Sequence, residues 1–450
     1  VINYGVVAID DFSWGVPLMV LILFGGILLT VRLRGVQFRQ LPRALRYMIK
    51  NETGGEGEVT SFGALCTALS ATIGTGNIVG VGTAILAGGP GAVLWMWLTG
   101  VFGMATKYSE TFAAVKYRVK DHNGNMLGGA MYAWRRAFEK DGKAPWWGLL
   151  GAGAFALFAA VASFGIGSAV QSSAMTGIIT SNAPGVPTWG IGLAIVIMVS
   201  LVIFGGIKII SKVCEKLVPF MAIAYAWGCI VIIGMNWEFV WPAICLIFEC
   251  AFTPRAAFGG AVGSGLMMAL QFGCARGLFS NESGLGSAPI VASAASTRNP
   301  AQQALVAMTG TFWSTVVICA LTGIVLVSTM LANPDIASDI LANPTVYSGA
   351  MLASEAFSKI PYIGTPILVL GMVAFSYTTI LGWSYYGNRC ITYLFGRYAI
   401  RPYQVVYVAV AFLGAIGVGD IVWTISDIGN ALMAIPNIVV VLLLSGLIAR

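Results

Sequence analysis

Four glycines lie close to one asparagine in the stretch Ser70–Gly91, which reads SATIGTGNIVGVGTAILAGGPG. The glycines nearest to Asn77 are Gly74, Gly76, Gly80 and Gly82. This stretch belongs to an apolar run over Phe62–Ala87 that is long enough to cross a bilayer, since a helical span takes about 20 residues. Each glycine inside a helix costs roughly 1 kcal/mol relative to alanine. Local unwinding of the helix around Asn77 is therefore predicted.

An unwound turn inside a membrane is a place where a polar solute can bind. Freed backbone N–H and C=O groups persist in lipid only where they are buried in protein or line a cavity. A helix broken at mid-depth is typical of a secondary transporter's binding site. Gly76 and Gly80 also fit the small-xxx-small pattern of close helix packing, and that alternative stays open. A dinucleotide fingerprint is rejected, because the spacing is GxGxxxG and no βαβ unit surrounds it.

The composition predicts a helical membrane protein. Hydrophobic residues make up 58% of the 450 residues and charged residues only 10%, with a mean hydropathy of +0.84. Soluble proteins average about 25% charged residues, and the apolar runs are too long for barrel strands. The net charge of +7 therefore concerns orientation and lipid headgroups rather than nucleic acid. Scattered cysteines and the single His122 predict neither a disulfide framework nor a His/Cys metal cluster.

The distribution of basic residues predicts how the chain crosses the membrane. We count eleven apolar segments, at about 14–32, 62–87, 91–118, 147–180, 188–206, 213–235, 262–296, 301–332, 361–392, 403–419 and 428–448. If all eleven cross, nearly every Lys and Arg falls on one side, and the opposite loops are acidic except for Arg255 and Lys359. The positive-inside rule then places the N-terminus outside and the C-terminus in the cytoplasm.

The same segments divide into repeats. Without the first segment ten remain, and two sets of five must have inverted topology because five is odd. We therefore expect an extra N-terminal helix with a basic linker (1–50), a first five-helix repeat (51–258) and a second, inverted repeat (259–450). The counterpart of the first break is predicted within Gly259–Ser296, at Gln271–Gly277. Broken segments at corresponding places in two halves indicate a binding site between them.

Several motifs resemble a known transporter family. The stretch GGPGAVLWMWLTGVFG at Gly88–Gly103 is similar to the signature of the alanine or glycine:cation symporter family. The segments SATIGTGNIVGVG and ARGLFSNESGLGSAP are also similar to that family's most distinctive stretches. The family in turn resembles the LeuT-type fold, a 5+5 inverted repeat, here with one extra helix in front. The resemblance covers nearly the whole chain.

The resemblance implies a substrate site and a sodium site. The turn Gly74–Asn77 resembles the GxGN turn whose N–H groups hold a substrate carboxylate, and carbonyls at Gln271–Gly273 would receive the ammonium. The implied substrate-binding residues are Thr72, Thr75, Gly76, Asn77, Phe164, Gln171, Gln271, Phe272, Gly273 and Trp383. Thr378 and Thr379 resemble paired sodium-site hydroxyls, which would join the backbone oxygens of Ser70 and Ile73. Hard cations favour such oxygen ligands.

Each of these residues also has an ordinary structural explanation. Asn77 and Gln171 could make interhelical hydrogen bonds, and membrane threonines usually bond their own helix's carbonyls. Aromatic residues in membrane helices, here Phe164, Phe272 and Trp383, are more often plain packing. Arg276 and Glu282 are the charges deep in the seventh segment, and they do not share a helix face.

We expect a plasma-membrane secondary transporter and not an enzyme. It would couple a small neutral amino acid, alanine or glycine, to sodium by alternating access. Proton coupling is the alternative, and it would need a titratable group at mid-depth, for which Glu282 is the candidate. A channel is disfavoured because no filter repeat is present. A membrane enzyme is disfavoured because no catalytic constellation lies within the segments. The oligomeric state stays open.

Overall fold

The structure, a computed structural model, describes residue 9 and residues 12–50, 55–253, 266–342, 347–417 and 420–450. The part that precedes the second predicted repeat is helical except for one small hairpin. Its helices are α1 Val16–Arg32, α2 Val36–Arg39, α3 Leu41–Ile49, α4 Ser61–Thr72, α5 Gly76–Gly88, α6 Ala92–Lys116, α7 Ala130–Ala137, α8 Trp146–Asn182, α9 Thr188–Ile203, α10 Ile207–Met235 and α11 Trp237–Phe252. The antiparallel strands β1 (Val119–Lys120) and β2 (Met126–Leu127) pair between α6 and α7.

The rest of the described chain is helical as well. Its helices are α12 Leu266–Asn281, α13 Ala288–Ala292, α14 Pro300–Ala332, α15 Pro334–Ala342, α16 Gly349–Ser358, α17 Gly364–Phe395, α18 Ile400–Ala415 and α19 Asp420–Ile448, with a 3₁₀ turn at Arg397–Ala399. At the centre, α6 packs against α1, α12 and α14, and α8 packs against α17 and α19. The site therefore lies among helices from both halves.

The described part of every predicted apolar segment is mainly helical, but the number of crossings is not thereby fixed. In the described ranges, α8, α10, α14, α17 and residues Thr424–Ile448 are long and apolar enough to cross a membrane, and the bent pair α4–α5 passes the same test when counted as one span. The apolar helices α1 and α9 are shorter. Eleven crossings therefore remain a prediction.

The first predicted break is confirmed. Helix α4 ends at Thr72, α5 begins at Gly76, and the two axes differ in direction by 52°. Ile73 has an extended backbone (φ −86°, ψ 98°), which takes it out of the helix. Asn77 lies at the start of α5, so the glycine-rich turn separates two half-helices as the sequence predicts.

The second predicted break is wrong in position. Helix α12 runs without interruption through Gln271–Gly277, and the chain leaves the helix only after Asn281. The non-helical turn is Glu282–Ser287, where Gly284 (φ 98°) and Gly286 (φ 78°) adopt left-handed conformations that favour glycine. Only after this turn does α13 begin.

Close helix packing explains why the earlier glycines do not break α12. Gly273 and Gly277 lie against α6, where a Cβ on Gly273 would overlap the Ala92 carbonyl and one on Gly277 would overlap the Thr99 hydroxyl. Small residues that let two membrane helices approach closely are common at such interfaces. The same residue type therefore serves packing at one place in α12 and unwinding ten residues later.

Candidate functional site

Two of the predicted sodium ligands, Ser70 and Thr379, come together between α4 and α17. The hydroxyl of Thr379 donates to the Ser70 carbonyl at 2.8 Å and to the Phe375 carbonyl at 2.9 Å. The hydroxyl of Thr378 donates to the Phe375 carbonyl at 3.1 Å. All four residues are buried, and Ile73 is the first residue beyond the end of α4. Hydroxyl and carbonyl oxygens from two helices thus converge, and this donor set fits a hard monovalent cation.

Asn77 connects the first break to the second half of the chain. Its Oδ1 accepts from the Gly74 backbone N–H at 3.1 Å, which closes the turn. Its Nδ2 lies within hydrogen-bond distance of the Ser280 hydroxyl (2.8 Å), the Ser314 carbonyl (2.9 Å) and the Cys319 sulfur (3.3 Å). The amide therefore organises the break and ties it to α12 and α14.

Among the described residues, three π-helical turns lie around this centre. They span Gly76–Gly80 in α5, Gly165–Ala169 in α8 and Phe312–Cys319 in α14. The first contains Asn77, and the third supplies the Ser314 carbonyl that Asn77 contacts. Such wider turns are frequent at functional sites because they re-aim backbone groups.

A small cavity lies between the breaks. Its volume is about 10 Å³, which is room for about one water-sized species. Its walls come from five helices (α4, α5, α8, α12 and α17) and both broken turns. The lining residues are Ala71, Thr72, Gly74, Thr75, Gly76, Ile166, Gln171, Phe279, Glu282, Thr379 and Trp383. Six of the residues predicted for the two sites are among them, so the structure brings together Thr72, Thr75, Gly76, Gln171, Thr379 and Trp383.

Other predicted substrate residues lie elsewhere. Phe164 packs against Tyr403 with ring centroids 5.2 Å apart, and it does not line the cavity. Gln271, Phe272 and Gly273 lie in the continuous part of α12, and none of them lines the cavity either. Their predicted roles depended on the misplaced break, so the carbonyls freed by unwinding belong to the Glu282–Ser287 turn instead.

A wide cavity of about 650 Å³ lies next to the small one, towards one end of the bundle. It lies among α5, α8, α12 and α16, near loops that the charge pattern predicts to face outside. Thr75, Gly76 and Phe279 line both cavities, so they form the partition between them. A Cβ on Gly76 would lie 3.0 Å from Phe279 Cδ1, so the ring rests against the glycine backbone.

The small cavity is also lined by two residues that are not among the ligands predicted from the sequence. Phe279 is one, since an aromatic residue in α12 carries no signal beyond packing. Glu282 is another. Its carboxylate accepts a hydrogen bond from the indole Nε1 of Trp383 at 3.1 Å, and its backbone adopts a left-handed φ of 51°. Such a conformation is strained for a residue other than glycine and is enriched at functional sites. The feature of the sequence that points to Glu282 is a charged residue within the seventh apolar segment.

Buried charges of α6 hold the second broken turn. Lys107 Nζ donates to the Glu282 carbonyl at 2.7 Å and lies 4.0 Å from Glu110 Oε2. Glu110 Oε1 accepts from the Gly284 N–H at 2.7 Å and from Asn437 Nδ2 at 2.5 Å. Charged residues inside membrane segments are costly, so their side chains pair with one another or with free backbone groups. Here they satisfy N–H and C=O groups that unwinding releases.

The opposite end of the bundle is closed. Glu58, just before α4, pairs with Arg389 of α17 at 2.8 Å, and the two side chains are 10% and 13% exposed. Arg118, after α6, donates to the carbonyls of Ser293 and Ala295 at 2.9 and 2.8 Å, which fixes the chain beyond α13. The structure is thus open on the side of the wide cavity. It is shut at the end that carries Glu58, Arg118 and Arg389, which we call the basic end.

Comparison with known proteins agrees with this architecture. The model of the sodium:alanine symporter family matches residues 1–450. The sodium/alanine symporter AgcS of Methanococcus maripaludis is 46% identical over 444 residues, covering 98% of this chain and 94% of that protein. The probable sodium/glutamine symporter GlnT of Bacillus subtilis is 32% identical, covering 97% and 87% of the two chains.

A solved structure supports the fold. MhsT, crystallised in complex with L-phenylalanine, superimposes with a TM-score of 0.53 at 13% identity, covering 87% of this chain and 90% of that one. The likeness is one of architecture, the LeuT-type fold. The family model matches the whole chain, and the relatives match it over most of their own length. The chain therefore belongs to the sodium:alanine symporter family, whose members are amino-acid transporters of the membrane.

Proposed function

We propose that this protein carries a small neutral amino acid, alanine or glycine, together with sodium across the plasma membrane by alternating access. The observation that carries the proposal is the junction of Ser70 and Thr379, whose oxygens meet beside the cavity between the two breaks. Neutral oxygens of this kind bind sodium without any change in protonation. The family and the relative named for sodium and alanine support the same coupling.

The order of elements supports the proposed 5+5 inverted repeat with one extra helix. The bent pair α4–α5 corresponds to α12–α13, and α6, α8, α9 and α10 correspond to α14, α17, α18 and α19. Short elements follow the second member of each half, namely the hairpin with α7 in the first and α15 with α16 in the second. In inverted topology these two insertions lie on opposite sides of the membrane. The boundaries near residues 51 and 259, eleven crossings, an outside N-terminus and a cytoplasmic C-terminus belong to this proposal.

The two cavities support alternating access over a channel. The wide cavity ends at Phe279, and the other end is closed by Glu58 and Arg389. A substrate can therefore reach the centre from one side only in this conformation. A transporter in this state is open towards the outside if the charge pattern gives the orientation correctly.

Uptake of labelled alanine into proteoliposomes tests the proposal. An inward sodium gradient should drive accumulation, and dissipating that gradient should abolish it. Competition by unlabelled glycine and glutamine would define the substrate, because one relative is named for glutamine. Uptake that ignores sodium, follows a pH gradient and is lost in Glu282→Gln would instead support the proton-coupled alternative. Flux that neither saturates nor exchanges labelled substrate would support a channel.

A further inference from the structure

The carboxylate of Glu282 is buried at the second break, where it lines the small cavity. The residue is 3% exposed. Its two carboxylate oxygens accept hydrogen bonds from neutral groups, the Trp383 indole N–H at 3.1 Å and the Ser287 hydroxyl at 2.6 Å. In the described part of the chain, no salt bridge reaches this carboxylate. A buried charge of this kind needs a counter-charge.

The neighbouring charges do not balance. Lys107 is the cation of this cluster, and it lies against both the Glu282 main-chain carbonyl (2.7 Å) and Glu110 (4.0 Å). Tyr386, from α17, is the further titratable group near Glu282, and it is neutral at physiological pH. Among the described residues, one lysine thus faces two glutamates, so with both carboxylates ionised one negative charge requires a further cation or a proton.

A second acceptor faces the same space. Gln171 is buried and lines the small cavity, and its Nε2 donates to the Ile166 carbonyl at 3.1 Å. Its Oε1 is buried without a hydrogen-bond partner in the protein. Orphaned buried acceptors are rare and need an explanation. A bound cation near Glu282 would satisfy both acceptors.

The size of the cavity identifies the kind of cation. At about 10 Å³ it can hold one water-sized species, and it is far smaller than the sites of about 300–1,000 Å³ in which organic ligands bind. An ion fits this space, whereas the ammonium group of an amino acid would bring the rest of the substrate with it. Of the candidate ligands of the first cation, Thr379 lines one wall of this cavity, whereas Ser70, Ile73 and Thr378 lie outside its lining.

We propose that Glu282 and Gln171 bind a second monovalent cation, Na⁺ or H⁺, which is transported with the substrate in addition to the cation at Ser70 and Thr379. The inference rests on the proposed function, and it adds to it the number of charges that cross with each amino acid. Because alanine is a neutral zwitterion, two positive charges should cross with each molecule. One charge should remain when Glu282 is replaced by glutamine, which keeps the acceptor for Trp383 but removes the negative charge.

The membrane potential that stops alanine flux measures this number. Proteoliposomes would contain a tenfold alanine gradient, with equal Na⁺ and equal pH on both sides. Wild-type flux should stop at about 30 mV, the value for two charges, and Glu282→Gln flux at about 59 mV, the value for one. Glu215→Gln is the matched control, since this carboxylate lies outside the cavity, where it accepts from the hydroxyls of Thr60 and Ser211. It should behave like the wild type.

Ion gradients then identify the second cation. If it is Na⁺, a sodium gradient should shift the potential that stops alanine flux with a weight of two ions per alanine in the wild type and of one ion in Glu282→Gln. If it is H⁺, a pH gradient should shift this potential in the wild type and not in Glu282→Gln. The inference is overturned if wild-type flux stops at about 59 mV, the value for one charge. That result is expected if Glu282 is permanently protonated or if it pairs with the ammonium group of the substrate. If the Glu282→Gln protein is inactive, the potential that stops wild-type flux still decides whether two charges cross with each alanine. Absence of sodium-driven alanine uptake in the wild type would overturn the proposed function as well.

Discussion

Asn77 and Ser280 join the two halves of this protein through a hydrogen bond of 2.8 Å from the amide Nδ2 to the hydroxyl oxygen. Asn77 lies at the start of α5, and Ser280 lies in the last turn of α12, two residues before the second break begins. The same amide closes the first break through Gly74. A single side chain therefore links the geometry of the two breaks.

Replacing Asn77 by alanine should weaken both folding and substrate binding. The change leaves the Gly74 N–H and the Ser314 carbonyl without their partner. Each unsatisfied buried group costs about 1–3 kcal/mol, so the apparent melting temperature of the purified protein should fall. Alanine affinity should fall roughly tenfold or more, since each 1.4 kcal/mol is a factor of ten. Thermal unfolding and equilibrium alanine binding measure the two effects.

Ser280→Ala is the graded control for Asn77. It removes one acceptor, while the amide still reaches the Ser314 carbonyl. Its effects should have the same sign and be smaller. Wild-type melting temperature and wild-type affinity in Asn77→Ala would show that these hydrogen bonds contribute nothing to the site.

Thr379→Val should raise the sodium concentration needed for half-maximal alanine uptake by roughly ten- to a hundredfold. Valine keeps the shape but removes the hydroxyl that lies 2.8 Å from the Ser70 carbonyl, and a hydrogen bond or ligand to a charged species contributes about 1.5–3 kcal/mol. Thr378→Val should have a smaller effect, because that hydroxyl contacts a carbonyl of its own helix. Alanine affinity at saturating sodium should change little in both variants.

Thr392→Val controls for the loss of a hydroxyl from α17. Thr392 donates to the Asn388 carbonyl at 2.7 Å, and it is outside the small cavity. Its sodium dependence should match the wild type. An equal shift in all three variants would assign the effect to the stability of α17, and no shift in Thr379→Val would place the sodium ion elsewhere.

The first break was predictable, and the second was not, for reasons that glycine content alone does not reveal. Around Asn77 the glycines coincide with a polar side chain that satisfies the released backbone, as its bond to Gly74 shows. In α12 the earlier glycines, Gly273 and Gly277, pack against α6 instead. Of the described glycines in α12 and the turn after it, Gly284 and Gly286 have left-handed φ values. Which glycine serves which purpose depends on a neighbouring helix that is distant in sequence.

The candidate site was likewise predictable where chemistry is local. Thr379 and Gln171 are polar residues in apolar segments, and both reach the small cavity. Phe279 became part of the site only through its contact with Gly76 across two half-helices. The π-helical turn that presents the Ser314 carbonyl has no signature in the sequence. Residues whose role depends on a contact with a distant segment therefore cannot be predicted from their own segment alone.

The orientation of the chain can be tested by cysteine labelling. Cys245 is exposed, so it must first be replaced by serine, whereas the other seven cysteines are buried. In that background, Asp339→Cys in α15 should react with an impermeant thiol reagent in intact cells, and Lys140→Cys after α7 should not. Both positions are exposed in the structure. Labelling of Lys140→Cys alone would reverse the orientation, and labelling of both or neither would change the number of crossings between them.

Breaking the Glu58–Arg389 pair should open the basic end of the bundle. Both groups are nearly buried in this conformation, and removing one partner of a buried pair leaves the other charge uncompensated, at a cost of up to about 3–5 kcal/mol. Water would solvate the remaining charge in a conformation that is open at this end, so the penalty applies to the closed conformation alone. Glu58→Gln should therefore shift the population towards the open state by tenfold for each 1.4 kcal/mol.

A buried reporter can follow this shift. Ser384 is 2% exposed and lines the crevice next to Glu58 and Arg389, so Ser384→Cys should react slowly with thiol reagents in the wild type and faster with Glu58→Gln present. Exchanging the charges, Glu58→Arg with Arg389→Glu, should restore slow labelling in part. The restoration is incomplete because the bonds from Met126 N–H to Glu58 and from Arg389 to Tyr385 are not rebuilt. Equal labelling rates in the single variant and the wild type would show that this ion pair does not hold the basic end closed.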